Sequence, residues 1–233
     1  MRATYYDTRL NGAYGEDNVY DDIKNMMTSI DKAILCMRKD KSLEGKRFLG
    51  KCLLSKAMVL IRCFPKRKLT MQRLLKATDA IVKEYMREPS EVQYEILVAK
   101  AWYHTMVYPN IELVNQRMTE AYDIAKGIVK TELNMIDDIF VTWANMMLVL
   151  QQYEKSLEYL NQAVQICEKY PEVIPYIRKK LDLYTYKIDV YFEMENLEKC
   201  KELVLQINKE NEANKELGIV KEIPAELTEA LTE

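Results

Sequence analysis

The chain carries few side chains that could perform acid–base or nucleophilic chemistry. It has a single histidine, His104, which lies beside Tyr103 in a stretch of helical pattern. General acid–base catalysis, Ser–His and Cys–His nucleophile pairs and most catalytic zinc sites need at least one well-placed imidazole. We interpret His104 as an ordinary helix residue, and the sequence predicts a protein that is not an enzyme.

Two carboxylate pairs are the other candidates for chemistry. Asp21 with Asp22 and Asp137 with Asp138 could hold a divalent cation or act as acid and base. Each pair lies near the start of a predicted helix, where the helix dipole favours acidic side chains. The glycines form no phosphate-binding loop. The sequence therefore predicts no metal site and no cofactor.

The cysteines do not have the spacing of a metal or redox site. They are Cys36, Cys52, Cys63, Cys167 and Cys200. Most of them lie in apolar helical patterns, where a free cysteine behaves as a small hydrophobic residue. This usage predicts a cytoplasmic protein with reduced thiols.

The composition favours an all-α fold. The 233 residues include 48% apolar residues but only 6 Gly and 6 Pro, too few turn formers for a many-stranded sheet. The formal net charge of -2 does not predict a generally basic nucleic-acid binder. The longest apolar stretch, residues 140–150, is too short to span a bilayer, and no targeting segment is predicted.

An internal repeat organises the chain. Its clearest unit, residues 140–166, contains two amphipathic helical patterns separated by Gln151 and Gln152. The key residues are Phe140, Trp143, Ala144 and Met147 in helix A and Tyr153, Ser156, Leu160 and Ala163 in helix B. The helix B residues are spaced by three, four and three, which places them on one stripe of a helix. The unit resembles the tetratricopeptide repeat, a helix-turn-helix motif.

The helix B pattern opens at residues 23, 67, 111, 153 and 197, with separations of 44, 44, 42 and 44 residues. The other matches are Ile23, Met26, Ile30 and Ala33; Arg67, Thr70, Leu74 and Ala77; Ile111, Val114, Met118 and Ala121; and Leu197, Cys200, Val204 and Ile207. The usual repeat of this family has about 34 residues. The longer period is similar to the long-helix repeats of bacterial signal-sensing regulators.

The resemblance implies a right-handed α-solenoid of about five antiparallel helix-turn-helix repeats in one array, residues 1–213. The predicted repeats are residues 1–41, 42–88, 89–130, 131–174 and 175–213, followed by a C-terminal cap or flexible tail at 214–233. Pro65 and Pro109 fall between helices A and B, where a helix must stop. Ser90 with Gln93 predicts a capping box at the start of the third repeat.

In the family that the chain resembles, helix A lines a concave groove that binds peptides. The matching positions here are Lys56, Arg62, Lys100, Tyr103, Met106, Thr142, Asn145, Tyr186 and Asp189. Such a face suits an extended or helical peptide, and the Asn145 amide can bind a peptide backbone as donor and acceptor. The family's clamp for a C-terminal carboxylate is not reproduced, because Thr142 and Asp138 stand where clamp donors are expected. The resemblance thus implies a non-enzymatic scaffold with a protein or peptide partner.

Two alternatives remain open. The array could be the peptide-sensing domain of a bacterial transcription regulator, although it begins by about Leu10 and leaves no room for a preceding DNA-binding module. Less favoured is a polyanion or nucleic-acid binder using the basic second repeat. That basic patch comprises Lys46, Lys51, Lys66, Arg67 and Lys68.

The charges are distributed unevenly along the chain. Eleven Lys or Arg lie between Arg38 and Lys68, whereas residues 193–233 hold eleven Glu against five Lys. Complementary ends permit copies to stack head to tail, so a homo-oligomer is an open expectation.

Overall fold

The computed structural model describes residues 16–85, 90–128 and 131–223, with side chains from residue 21 onward. The described residues form helices and contain no strand, which confirms the all-α class. The chain divides into two compact units, one up to Tyr108 and one from Pro109. Helix A of the first predicted repeat, before residue 16, lies outside the described residues. The single solenoid array stays a prediction.

The described residues of the first unit form four helices, some of whose ends follow local sequence signals. They are α1 (Glu16–Met37), α2 (Leu43–Cys63), α3 (Lys68–Tyr85) and α4 (Glu91–Met106). Ser42 caps α2 by accepting a hydrogen bond from the Gly45 amide. The capping box of Ser90 and Gln93 is confirmed at the start of α4.

Helix α2 is central in the first unit, where it packs against α1, α3 and α4. On the α1 side, Ile34 packs with Leu49 and Leu53 in a buried cluster. On the other side, Gly50 faces Val92 of α4, and a Cβ at Gly50 would lie in ordinary van der Waals contact with it at 3.4 Å. The apolar face of α2 therefore holds this unit together.

The predicted register of α3 is wrong by one residue. The pattern placed Arg67, Thr70, Leu74 and Ala77 against the core, but the buried residues are Met71, Leu75, Thr78 and Val82. The turn at Pro65 delays the start of the helix to Lys68, and bulkier apolar side chains then occupy the core stripe. In α1, Met26 is likewise exposed, whereas Ile34 is buried.

The second unit contains α5 (Ile111–Ile128), α6 (Glu132–Met135), a π-helical segment (Ile136–Val141), α7 (Thr142–Val149), α8 (Tyr153–Glu168), α9 (Ile174–Glu193) and α10 (Leu197–Ala213). Three of the four predicted core positions are confirmed in each of α5 and α8, since Val114, Met118, Ala121, Ser156, Leu160 and Ala163 are buried. The openers Ile111 and Tyr153 are half-buried. After α10 and a 3-10 turn at Lys215–Leu217, the chain places Ile219 in the same core as α9 and α10.

Two helix pairs of the second unit repeat the same contacts 44 residues apart. The α7–α8 turn contains Gln151 and the α9–α10 turn contains Glu195, each with a left-handed φ of 57°. The Ser156 hydroxyl donates to the Ala144 carbonyl at 2.8 Å. Its counterpart, the Cys200 thiol, donates to the Ile188 carbonyl at 3.7 Å. The sequence period therefore corresponds to a structural repeat within this unit.

The π-helical segment joins α6 to α7 and was not predicted. Its wider turn buries four of its six side chains, Ile136, Ile139, Phe140 and Val141. Asp137 and Asp138 are exposed beyond the first turn of the helix that begins at Glu132. Asp21 and Asp22 also lie beyond the first described turn of α1. The helix dipole, which acts within the first turn, therefore does not explain either pair.

Candidate functional site

In the first unit, the predicted groove residues mostly connect neighbouring helices. Lys56 of α2 forms an ion pair with Asp31 of α1. Lys100 of α4 pairs with Asp79 of α3 at 2.5 Å. Met106 is half-buried at the end of α4, while Arg62 is exposed.

The structure corrects the groove assignment at Tyr103. This side chain is only 5% exposed, and its hydroxyl accepts a hydrogen bond from Gln72 Nε2 at 2.9 Å. Burial raises the pKa of the Tyr103 phenol, so it stays neutral. Because α4 packs against α3 at this point, Tyr103 is part of the packing between the two helices and does not line an open groove.

In the second unit, the predicted groove residues belong to two helices, α7 and α9. Both α7 and α9 pack antiparallel to α8, so they run in the same direction. Lys179 of α9 pairs at 2.7 Å with Asp137 of the π-helical segment and so links α9 to the segment that precedes α7. Further along lie Thr142 and Asn145 on the α7 side and Tyr186 and Asp189 on the α9 side. We call these four residues the α7–α9 face.

The π-helical segment positions the α7 half of this face. The Thr142 hydroxyl donates to the Asp137 carbonyl at 3.1 Å, five residues earlier, as the wider π turn permits. Burial alone would lower the pKa of Lys179, but the bond to Asp137 and the nearby Asp182 and Tyr186 raise it. The ammonium stays charged and forms an ion pair with Asp137.

Asn145 contributes the only side-chain amide among the four residues of the α7–α9 face. It is half-buried, as are Thr142, Tyr186 and Asp189. No hydrogen bond from the described residues reaches the Asn145 amide, whereas Trp143 on the same helix donates to Asn115 at 3.0 Å. The α7–α9 face therefore carries the Asn145 amide, which can donate and accept hydrogen bonds, together with the Thr142 hydroxyl, the Tyr186 phenol and the Asp189 carboxylate.

A cleft of about 490 Å³ lies elsewhere in the second unit, and sequence reasoning missed it. Its lining residues are Tyr122, Lys126, Thr131, Glu132, Met135, Phe140, Gln162, Gln165, Ile166 and Lys169. Lys169 donates to Glu132 Oε1 at 3.2 Å, and the Tyr170 hydroxyl together with Lys169 lowers the pKa of Glu132. The cleft forms where three helices leave a gap, which no periodic pattern records.

The structure does not bring the predicted basic patch together. Lys46 lies over the Tyr85 ring at 5.9 Å, and Lys51 pairs with Glu91 at 2.5 Å. Both lie in the first half of α2, whereas Lys66 and Arg67 are exposed in the turn after its end and Lys68 is exposed at the start of α3. Fifteen residues separate Lys51 from Lys66, and a helix of that length rises about 22 Å.

The described residues contain no group of histidine, cysteine, aspartate or glutamate that could hold a metal ion. The five cysteines form no disulfide. Cys52, Cys167 and Cys200 are buried, and desolvation raises the pKa of Cys167 to about 11. Within the described ranges, no helix has the length and apolar character that crossing a bilayer requires.

This burial predicts the order in which the thiols react. With DTNB at about pH 8, the exposed Cys36 should react at least about 100-fold faster than Cys167, because Cys167 is buried and its raised pKa leaves little reactive thiolate. Stopped-flow absorbance gives the rates, and Cys36→Ser should remove the fast phase. Rapid labelling of Cys167, detected by peptide mass spectrometry of the native protein, would contradict the buried position.

Comparison with known proteins gives no relative. No family model, no curated protein and no solved structure matches the chain at a significant level. The assignment to a repeat family therefore stays a prediction that depends on the residues and contacts of this chain.

Proposed function

We propose that the protein is a non-enzymatic scaffold that binds a segment of a partner protein on the α7–α9 face. In this proposal its helix pairs act as tetratricopeptide-like repeats. The support is the 44-residue repetition of the turns at Gln151 and Glu195 and of the cross-helix bonds from Ser156 and Cys200. Repetition of this kind places successive A helices side by side, which creates an elongated surface.

The observation that carries the proposal is the half-buried Asn145 amide without a partner among the described residues. A peptide in an extended conformation presents one N–H and one carbonyl to such an amide, and both can be satisfied together. Tyr186 adds a rigid ring with a polar tip, the type of side chain that is frequent in energetically important interface positions. The face is thus suited to a backbone contact flanked by side-chain contacts.

A selection with random 12-residue peptides displayed on phage tests this function, using the purified full chain as target. Selected peptides are then measured by fluorescence anisotropy. Asn145→Ala and Tyr186→Ala should each weaken binding by about tenfold, equivalent to about 1.4 kcal/mol. Asn161→Ala is the matched control, because Asn161 is an exposed residue of α8 away from this face.

The control should bind like the wild type, and all variants should keep the wild-type circular dichroism spectrum. Peptides that bind both face variants as tightly as the wild type would remove the α7–α9 face from the proposal. Failure to select any peptide would contradict the binding function itself.

A further inference from the structure

The first unit has a strongly basic end, which the α7–α9 face does not involve. Five exposed cations lie at the end of α2, in the following turn and in the first turns of α3. They are Arg62, Lys66, Arg67, Lys68 and Arg73, and we call them the cationic end. The sequence contains no Asp or Glu between Glu44 and Asp79, and none between Glu95 and Tyr108. The segments that build this end therefore carry no compensating acid.

Aromatic rings lie between these cations. The Arg62 guanidinium lies 5.9 Å from the Trp102 ring centroid, and the Arg67 guanidinium lies 5.6 Å from that of Phe64. Lys68 Nζ is 4.4 Å from the ring centroid of Tyr108. These contacts join the α2–α3 turn to the end of α4 and hold the charges over apolar surface.

The Tyr103–Gln72 hydrogen bond fixes this arrangement. It ties α3 to α4, and the Tyr103 ring lies 5.8 Å from that of Tyr108. The buried Tyr103 therefore places Tyr108 beside Lys68. Tyr103 and Trp102 are buried in the packing of the unit, so the cations of this end lie next to an ordered apolar core.

None of the five cations has a carboxylate partner among the described residues. Lys51, Lys56 and Lys100 of the same unit are each paired with an acid. The cationic end thus concentrates positive charge in one part of a chain whose formal net charge is -2. Such a concentration attracts anionic partners and raises their association rate.

The apolar surface at this end favours a protein over a nucleic acid. Leu69 is 69% exposed and Tyr108 is 50% exposed, and each adjoins Lys68, one along α3 and the other through its ring. Single-stranded nucleic acids stack their bases on aromatic rings, and an exposed leucine gives no stacking surface. A leucine and a tyrosine among arginines instead fit a partner that combines carboxylates with apolar side chains.

We propose that the cationic end docks an acidic segment of a partner protein. Carboxylates of the segment bind Arg62, Arg67 and Lys68, and an apolar side chain of the segment covers Leu69 and Tyr108. The cationic end shares no residue with the α7–α9 face. It gives the proposed scaffold a second binding surface, which is positively charged.

The test uses a fluorescein-labelled 16-residue peptide that contains six Glu and four Leu, titrated with the full chain. The double variant Arg67→Glu/Lys68→Glu should weaken binding at least about tenfold, and Leu69→Ala about threefold. A peptide with Gln in place of Glu should not bind. Lys24→Glu/Lys32→Glu, a double charge reversal at exposed sites of α1, is the matched control and should bind like the wild type.

Three outcomes would overturn the proposal. One is equal binding by the wild type and the Arg67→Glu/Lys68→Glu variant. The second is tighter binding of a labelled oligothymidine than of the peptide, which would assign the surface to nucleic acid. The third is salt-sensitive self-association in sedimentation velocity that the Arg67→Glu/Lys68→Glu variant abolishes, which would make a second copy the occupant.

Binding of the phage-selected peptides by the same variants separates the two proposals. Arg67→Glu/Lys68→Glu should leave it unchanged, whereas Asn145→Ala should weaken it and leave the acidic peptide unaffected. Loss of both activities in either variant would contradict the independence of the two surfaces.

Discussion

Replacing Met71 with alanine should lower the free energy of unfolding by about 2–5 kcal/mol. The Met71 side chain is 0% exposed, and its helix, α3, packs on both α2 and α4. Removing the side chain therefore loses apolar burial and leaves a cavity that the three packed helices cannot easily close. Urea unfolding followed by circular dichroism measures the change.

Two neighbours of Met71 provide the controls. Leu69→Ala removes apolar atoms from a side chain that is 69% exposed, and it should change stability by no more than about 0.5 kcal/mol. Thr70→Lys should also be tolerated, because Thr70 is exposed. A large loss of stability in Thr70→Lys together with a neutral Met71→Ala would restore the register that the sequence pattern indicates.

This register shows how far a periodic pattern can predict the fold. The helix B spacing of three, four and three residues predicts where the helices and their turns lie. It also predicts correctly which side of α5 and of α8 faces the core. In α3 the same spacing fits two sets of residues that differ by one position. The choice between them depends on where the helix begins after Pro65, and that start is set by a turn with no periodic signal.

The candidate sites depend on contacts that the sequence pattern does not contain. The alignment with the repeat pattern predicts that Tyr103 lines a groove. In the structure Tyr103 is buried, because α3 packs on α4 and Gln72 of α3 donates a hydrogen bond to its hydroxyl. The π-helical segment buries four apolar side chains and contains Asp137, which pairs with Lys179 of α9, and the periodic pattern predicts neither feature. In the cationic end, the rings beside Arg62 and Lys68 belong to Trp102 of α4 and to Tyr108, two residues after α4 ends, more than thirty residues away along the chain.

The sequence predicts that Trp143 lies in the core, but it does not predict which residues Trp143 contacts. The repeat pattern places Trp143 in the core, and its 8% exposure confirms this. Its ring stacks on Tyr159 of α8, with centroids 4.2 Å apart and planes inclined by 19°. Its Nε1 donates to Asn115 Oδ1 of α5 at 3.0 Å. One side chain therefore connects α7 to two other helices of the second unit.

Trp143→Ala should lower the free energy of unfolding by about 3–5 kcal/mol, since it removes the stacked ring and leaves the Asn115 carbonyl without its donor. Circular dichroism during urea unfolding measures the loss, because the substitution also removes a fluorophore.

Trp143→Phe separates the two contributions of this side chain. It keeps an aromatic ring against Tyr159 and loses the hydrogen bond, so it should cost less than Trp143→Ala. Leu205→Ala, at a side chain that is 69% exposed on α10, should change stability by no more than about 0.5 kcal/mol. If the Trp143→Ala and Leu205→Ala variants are equally stable, Trp143 does not hold α7 in place. The position of Asn145, two residues further along α7, would then have no support from the packing of Trp143.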